Sequence, residues 1–169
     1  MKFAIDLGHN VRADGGAVGV RRENDLIIEV GEPVIQLLRN AGHEVVECKP
    51  TWASSVNDSL NRRVRTANAS RADVAVSIHF NAFHDARANG TETYAISSQG
   101  QIYAHEVNKN IVALGFRNRG VKSARYYFLR ATSMPAILIE GCFCTSQRDM
   151  NLFNADKMAQ AIVNGLLRR

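Results

Sequence analysis

Short apolar runs alternate along the chain with longer stretches in which apolar residues recur every three or four positions. The short runs predict buried strands and the longer stretches predict amphipathic helices. The predicted strands cover residues 3–7, 43–48, 73–79, 91–96, 126–129 and 136–140. The predicted helices cover residues 23–40, a stretch after Ser55, residues 101–114, and a last stretch that opens at Asn154 or Asp156. This alternation predicts one α/β domain with a largely parallel sheet covered by helices on both faces.

Cap and breaker residues refine these boundaries. Gly42 is placed to end the first helix. Pro33 lies inside that helix and predicts a kink or a division near Gly31, because proline lacks a backbone donor. Ser55, with Asp58 three residues later, is typical of a helix N-terminus. The inner stripe of this second helix is predicted to be Val56, Leu60, Val64 and Ala67.

The composition is that of an ordinary globular domain, with 46% apolar and 22% charged residues among 169. The net charge of +5 and the pI near 9.4 predict attraction to a polyanion, without choosing among nucleic acid, an acidic membrane and an anionic wall polymer. No nucleic-acid-binding motif is present, so nucleic acid is not expected as a partner. Two basic clusters are interpreted as solvated faces: Arg62, Arg63 and Arg65, and Arg117, Arg119, Lys122, Arg125 and Arg130.

No apolar stretch reaches the roughly 20 residues of a membrane span. The first ten residues also lack the apolar segment of a secretory signal, so the chain is expected to remain in the cytoplasm that makes it until it is released. Cys48, Cys142 and Cys144 are too few for a disulfide framework and are interpreted as small apolar residues. The sequence gives no indication of the oligomeric state.

Polar side chains follow three of the predicted strands. His9 follows the first strand, while His79 and Glu140 end two others. Glu23 opens the first helix, directly after a glycine-rich loop. Because ligands of open α/β sheets bind outside the carboxyl ends of the strands, we expect these four side chains to converge at one edge.

Two histidines and a carboxylate with an open fourth position are typical of catalytic zinc. A second carboxylate beside that position would take a proton from water, which favours metal-assisted hydrolysis of an amide, ester or phosphoester. Asp6 is the carboxylate expected to orient an imidazole. Asn81 and His84, shortly after His79, are candidate substrate contacts, whereas His43 and His105 are interpreted as structural or solvent-facing.

Seven ordered motifs resemble those of the zinc-dependent N-acetylmuramoyl-L-alanine amidases, which cut peptidoglycan between muramic acid and the stem peptide. They are DLGH, GGAVG followed by Glu23, NRRVRTAN, SIHFNA, GTETY, NRGVK and AILIEGCF. The sequence departs from the family at two places. After Gly8-His9 the family usually has another glycine, whereas Asn10-Val11-Arg12 intervenes here, and after Glu140 the chain has Thr145-Ser146, preceded by Cys144, where the family has a threonine-asparagine pair.

The resemblance implies that His9, Glu23 and His79 bind one zinc ion and that Glu140 is the general base. It also implies a twisted, mostly parallel six-stranded sheet. Residues 1–169 are then expected to be a single catalytic domain without a wall-binding domain. Peptidoglycan is the implied partner, and a phage endolysin or an autolysin that acts on the wall after release is the implied role.

Three rival hypotheses remain open at this stage. A zinc carboxypeptidase would share the chemistry and a similar frame, and would release single amino acids instead of stem peptides. A catalytically inactive wall-binding module would share the fold, although it would have no reason to keep both histidines and both glutamates. A cysteine hydrolase that uses Cys142 would be insensitive to a chelator and would lose activity on alkylation.

Overall fold

The computed structural model describes residues 1–168, which form six strands and six helices. The strands are β1 (Lys2–Leu7), β2 (Glu44–Glu47), β3 (Val74–Asn81), β4 (Thr91–Ala95), β5 (Asn118–Lys122) and β6 (Ala136–Phe143). The helices are α1 (Glu23–Asn40), α2 (Val56–Ser70), α3 (Ser98–Val112), α4 (Tyr127–Ala131), α5 (Gln147–Leu152) and α6 (Ala155–Leu167). None of these helices is both long enough and apolar enough to cross a membrane.

The six strands form one sheet in the order β2-β1-β3-β6-β4-β5. All neighbouring strands run parallel except β4 and β6, which are antiparallel. The predicted α/β class and mostly parallel six-stranded sheet are confirmed. The order places β6 between β3 and β4, although β6 is the last strand in the chain.

Alternate residues of each strand face two different helical layers. Phe3 and Ile5 of β1 belong to the larger apolar cluster, which contains buried residues of α1, α3 and α6. Ala4, between them, belongs to a smaller cluster with residues of α2 and α4. Because side chains alternate across a strand, this pattern requires helices on both faces, as predicted.

The sequence pattern predicted a strand at residues 126–129, and this prediction is wrong. Tyr126 precedes α4 and residues 127–129 form its first part, and the fifth strand is β5, at Asn118–Lys122. Phe128 and Leu129 are adjacent and both lie in the smaller apolar cluster. Two adjacent strand residues would face opposite sides of the sheet, whereas a helix can turn both towards it.

Helix α1 is continuous from Glu23 to Asn40, so the predicted division near Gly31 is wrong. Pro33 removes the hydrogen bond to the carbonyl of Glu29, which is an exposed residue. Water can therefore hydrate that carbonyl, and the apolar face of the helix keeps its regular packing. Gly42 follows the helix with a φ of 83°, as expected for a helix-ending glycine.

Helix α2 begins where predicted, because the Ser55 side chain accepts a hydrogen bond from the backbone N–H of Asp58. Its buried face differs from the predicted stripe. Val56 is 50% exposed, and the buried residues are Ser59, Arg63, Val64 and Ala67. The burial of Arg63 overturns its interpretation as part of a solvated face and leads directly to the candidate site.

Candidate metal centre

The carboxyl ends of β1, β3 and β6 lie at one edge of the sheet and bring the predicted residues together. His79 is in register with Glu140 on the neighbouring strand. Potential ligand atoms of His9, Glu23 and His79 all lie within 4.8 Å of one another. His9 Nε2 is 3.4 Å from Glu23 Oε1, and His79 Nδ1 is 3.3 Å from the same oxygen.

The backbone around Gly8 makes this approach possible. A Cβ atom on Gly8 would lie 2.3 Å from His79 Cε1, so only glycine leaves room for that ring. The next two residues, His9 and Asn10, have left-handed φ angles of 50° and 61°. Asparagine tolerates this conformation better than most residues, which explains how Asn10 can stand where the family usually has glycine. Its Nδ2 also donates to the carbonyls of Gly8 and Asn24.

Glu23 is the first residue of α1 and is held by main-chain donors. The N–H of Ala17 donates to Oε2 at 2.8 Å, and the N–H of Phe80 donates to Oε1 at 3.2 Å. Burial disfavours the charged form, but hydrogen bonds from His79, His9 and Ala17 outweigh it and hold the pKa of Glu23 well below its usual range. The carboxylate is therefore ionised and ready to bind a cation.

A second carboxylate fixes the orientation of His9. Asp14 Oδ1 lies 2.8 Å from His9 Nδ1, which leaves Nε2 free to face Glu23. Burial favours the neutral ring, yet the hydrogen bonds to Asp14 and Glu23 raise the pKa of His9 to about 9. Asp14 thus has the contact with the imidazole that the sequence analysis expected of Asp6.

The expectation that Asp6 orients an imidazole differs from the contacts in the structure. Asp6 Oδ1 accepts a hydrogen bond from Arg63 at 2.6 Å, and Oδ2 accepts one from Ser77 at 2.8 Å. Arg63 also donates to the carbonyls of Leu7 and His9. Asp6 thus acts on the histidine through Arg63 and the main chain, while Asp14 contacts the ring.

Arg63 is the centre of a buried cluster next to the candidate metal ligand His9. Its side chain is 2% exposed, and its Nε donates to Ser59 Oγ at 3.1 Å. Ser59 in turn donates to Asp14 Oδ2 at 2.8 Å. We call Asp6, Asp14, Ser59, Arg63 and Ser77 the Arg63 cluster. It ties α2 to the end of β1 and to the left-handed turn that carries His9.

Glu140 lies beside the three candidate ligands but is not hydrogen-bonded to them. Its Oε2 is buried and has no hydrogen-bond partner within residues 1–168. Burial, together with the negative charges of Glu23 and Glu92, raises the pKa of Glu140 to about 7, although His79 opposes the shift. A carboxyl with this pKa can accept and return a proton near neutral pH.

The three converging residues fit a divalent metal of the zinc type. They provide two imidazole nitrogens and one ionised carboxylate, which is the donor set of catalytic zinc sites. His9 and His79 line a cavity of about 320 Å³, which Glu140 also lines. A closed structural site would have four protein ligands, whereas this arrangement leaves a position for a water or a substrate oxygen.

The remaining predicted residues lie outside the metal cluster. Asn81 donates to Glu92 Oε1 at 2.8 Å and lines a second cavity, of about 440 Å³, which Glu140 also lines. His84 is exposed and packs against the Phe83 ring, outside the linings of both cavities. His43 packs edge-on against Phe3 and is not part of the group of candidate ligands. His105 is exposed on α3.

The three cysteines are buried and free. Burial raises the pKa of Cys142 well above its usual range and, with the charge of Glu23, raises that of Cys144 to about 11. A nucleophilic cysteine requires a thiolate, which this environment disfavours. The geometry therefore gives no support to a cysteine hydrolase.

Comparisons with known proteins agree with this geometry. A family profile described as N-acetylmuramoyl-L-alanine amidase matches residues 3–168. The endolysin of Bacillus phage SPP1 is 33% identical over 170 residues, covering 95% of this chain and 61% of the endolysin. The amidase LytC of Bacillus subtilis is 33% identical over 174 residues, covering 95% of this chain and 34% of LytC. The chain thus spans less than two thirds of the length of either relative.

A solved structure also matches over almost its entire length. The N-acetylmuramoyl-L-alanine amidase AmiC2 of Nostoc punctiforme superposes with a TM-score of 0.89 at 33% identity. The match covers 99% of this chain and 96% of that chain. The α/β architecture described above is therefore that of a known amidase structure.

Proposed function

Because the chain belongs to the N-acetylmuramoyl-L-alanine amidase family, we propose that it is a zinc-dependent hydrolase that cleaves the amide between N-acetylmuramic acid and L-alanine of peptidoglycan. One observation carries the proposal. Three residues with the donor set of catalytic zinc converge within 4.8 Å, and the buried carboxyl of Glu140, without a partner for its Oε2, lies on the adjacent strand.

The protein's residues have distinct roles in this mechanism. His9, Glu23 and His79 would hold one zinc ion, and Asp14 keeps the Nε2 of His9 turned towards Glu23. When bound, zinc lowers the pKa of water and polarises the lactyl carbonyl. Glu140 takes a proton from the attacking water and delivers it to the nitrogen of L-alanine, which leaves as an amine.

Product analysis tests the proposed bond. Purified peptidoglycan is digested with and without a chelator, and the released products are identified by mass spectrometry. An amidase releases stem peptides that begin with the amino group of L-alanine, and the chelator stops their release. Release of single amino acids would identify a carboxypeptidase instead, and digestion that survives the chelator would exclude the metal mechanism.

A matched pair of variants tests the role of Glu140. Glu140→Gln should bind zinc as the wild type does but lose roughly 10²–10⁴-fold in rate, the usual contribution of a general acid–base group. Glu32→Gln changes an exposed glutamate of α1 and should leave the rate unchanged. Full activity of Glu140→Gln would show that the proton is handled by another group.

The cell wall is the proposed place of action, and the positive net charge supports binding to it. With a net charge of +5, the protein is attracted to anionic wall polymers, and salt screens this attraction. Sedimentation with purified walls should therefore decrease as sodium chloride rises. Binding that does not depend on salt would remove this role of the charge.

A further inference from the structure

A second charged cluster lies on the other side of Glu140 from the histidines. Its centre is Glu92, which pairs in register with Glu140 across β4 and β6 and is 3% exposed. Asn81 and Tyr94 donate to Oε1, each at 2.8 Å. Arg119 and Lys122 donate to Oε2, at 2.8 and 2.5 Å. We call these five residues, other than Glu140, the Glu92 cluster.

Glu92 has its acceptor positions occupied, whereas its two cationic partners have donors to spare. Each carboxylate oxygen accepts two hydrogen bonds, which is close to its capacity. Arg119 uses only Nε, and within residues 1–168 its two Nη groups have no acceptor in hydrogen-bond range. Lys122 uses one of its three N–H donors. Two positive charges against one negative charge leave the cluster with a net charge of +1.

The spare donors face an accessible space. The side chains of Arg119 and Lys122 are 29% and 39% exposed, and both line the 440 Å³ cavity. The guanidinium of Arg119 also lies over the Phe143 ring, 4.9 Å from its centroid. This contact and Glu92 hold the guanidinium in one orientation, so a ligand would meet preorganised donors.

The chemistry of the cluster favours a singly charged carboxylate. A planar guanidinium presents paired N–H groups that match a carboxylate, and an adjacent ammonium adds a further charge-assisted hydrogen bond. The net charge of +1 balances one anionic group. In the proposed reaction the carboxyl of muramic acid is part of the amide that is cut, so any free carboxylate lies on the peptide side.

The two cavities that meet at Glu140 differ in the chemistry of their linings. The cavity of about 320 Å³ on the metal side includes Val56, Leu60 and Phe128 in its lining, while the second cavity contains the Glu92 cluster. Tyr126 and Glu140 line both. A substrate whose amide lies at Glu140 can therefore extend its charged peptide towards Arg119 and Lys122.

We infer that Arg119 and Lys122 form a carboxylate subsite for the stem peptide. The group bound is the free α-carboxylate of the residue that follows L-alanine, a γ-linked D-glutamate. This inference rests on the proposed function and specifies its substrate: stem peptides with a free carboxylate at this residue are preferred over those with a carboxamide. Glu92 is a positioning residue, because it orients both cations without contacting the peptide.

Direct binding tests the subsite without relying on catalysis. The probes are two tripeptides, L-Ala–γ-D-Glu–L-Lys with a free α-carboxylate on the glutamate and the same peptide with an α-carboxamide. Calorimetric titration of the wild type should show about tenfold tighter binding of the carboxylate form, which is the effect of one charge-assisted hydrogen bond. Equal affinities, or no binding of either peptide, would overturn the inference.

Three variants of the subsite and one control variant locate the effect. Lys122→Met and Arg119→Met should each reduce the preference for the carboxylate to less than about threefold. Lys109→Met, which removes an exposed lysine of α3, should leave the preference intact. Lys122→Gln keeps a donor for Glu92 and should also lose most of the preference, which separates loss of charge from misfolding. A preference that persists in all of these variants would contradict the inference.

Hydrolysis is measured separately on the two tripeptides after each is linked to N-acetylmuramic acid. A wild type that binds the carboxylate form more tightly but cleaves neither substrate would disprove the proposed function and leave the subsite standing. A wild type that cleaves both equally, without a difference in affinity, would disprove the subsite and leave the function standing.

Discussion

The Arg63 cluster and the Glu92 cluster lie at the same edge of the sheet and use the same kinds of residues, yet they differ in what remains unused. In the Arg63 cluster the guanidinium is 2% exposed and donates to Ser59, Asp6 and two main-chain carbonyls. In the Glu92 cluster the carboxylate is enclosed, but the cations are partly exposed and keep free donors.

Unused donors distinguish a cluster that fixes parts of the protein itself from one that can also bind a ligand. A buried guanidinium whose three nitrogens all donate to the protein can only fix the groups that it contacts, and here it fixes the turn that carries His9. A partly exposed cation with free donors can still form charge-assisted hydrogen bonds with a ligand. Counting unused donors and acceptors therefore distinguishes the two clusters better than counting their charges.

The largest effect is expected for Arg63→Met. It leaves Asp6 buried without its cation and removes the more distant of the two cations beside Asp14, so the free energy of unfolding should fall by about 3–5 kcal/mol. Urea denaturation measures the change. The control is Arg62→Met, which removes the neighbouring arginine, a 44% exposed side chain paired with Asp58, and should change the stability little. Similar losses in both variants would mean that the Arg63 cluster is not a structural centre.

A smaller effect is expected for Glu92→Gln. The variant keeps the shape but weakens the charged hydrogen bonds, so it should lose about 1–2 kcal/mol at pH 7. Burial raises the pKa of Glu92, but the hydrogen bonds from Lys122 and Arg119 outweigh it, and the pKa lies below its usual value of 4.5. The stabilisation is therefore complete above pH 4.5 and is lost as the pH falls through the lower folded value.

Urea denaturation from pH 7 to pH 3 checks this sign. The measurements are made with a chelator present, so that release of metal does not contribute. Both chains also carry Glu140→Gln, because the charge of Glu92 raises the pKa of Glu140, which titrates near pH 7. The difference between the chains with and without Glu92→Gln should then be constant above about pH 5 and should shrink at lower pH. A difference that grows on acidification would show that Glu92 is not stabilised as a carboxylate.

The smallest effect concerns the turn held by the Arg63 cluster. Asn10→Ala and Asn10→Gly both remove the side-chain hydrogen bonds, but only alanine is disfavoured at a φ of 61°. Asn10→Ala should be about 1 kcal/mol less stable than Asn10→Gly by thermal or urea unfolding. Equal stabilities would indicate that the turn relaxes to another conformation in the variants.

The convergence of the four candidate site residues could be predicted because each residue follows directly from a local pattern. His9, His79 and Glu140 come at the ends of apolar strands, and Glu23 begins a helix after a glycine-rich loop. Parallel strands bring such positions to one edge whatever their exact order. The structure places all four there, which agrees with the amidase family that the motifs resemble.

The prediction that Arg63 faces solvent is wrong because it rests on the charge of the cluster, in which Arg62 and Arg65 are indeed exposed. A signal was nevertheless present in the sequence. Ser59, Arg63 and Ala67 recur every four residues and so share one helix face. Asp6 is a carboxylate inside an apolar strand and needed a buried partner. Combining the two would have paired Arg63 with Asp6.

The Glu92 cluster could not be predicted in the same way. Its members come from three separate stretches, β3, β4 and β5, and meet only because β4 lies between β6 and β5. Nothing local in the sequence specifies that β4 runs antiparallel to β6. The local pattern also misplaces the fifth strand, since residues 126–129 are as apolar as a strand but pack as a helix.

The position of β6 has a consequence for how the protein is made. Residues Ala136–Phe143 form the strand between β3 and β4. Each of those two strands therefore lacks one hydrogen-bonded neighbour until β6 has been synthesised. Glu140 arrives with that strand, after every candidate metal ligand has already left the ribosome. A chain interrupted before residue 136 has no strand to join β3 to β4, and it also lacks Glu140. Joining the two parts of the sheet and bringing Glu140 to the candidate site are thus a single event in the synthesis of the chain.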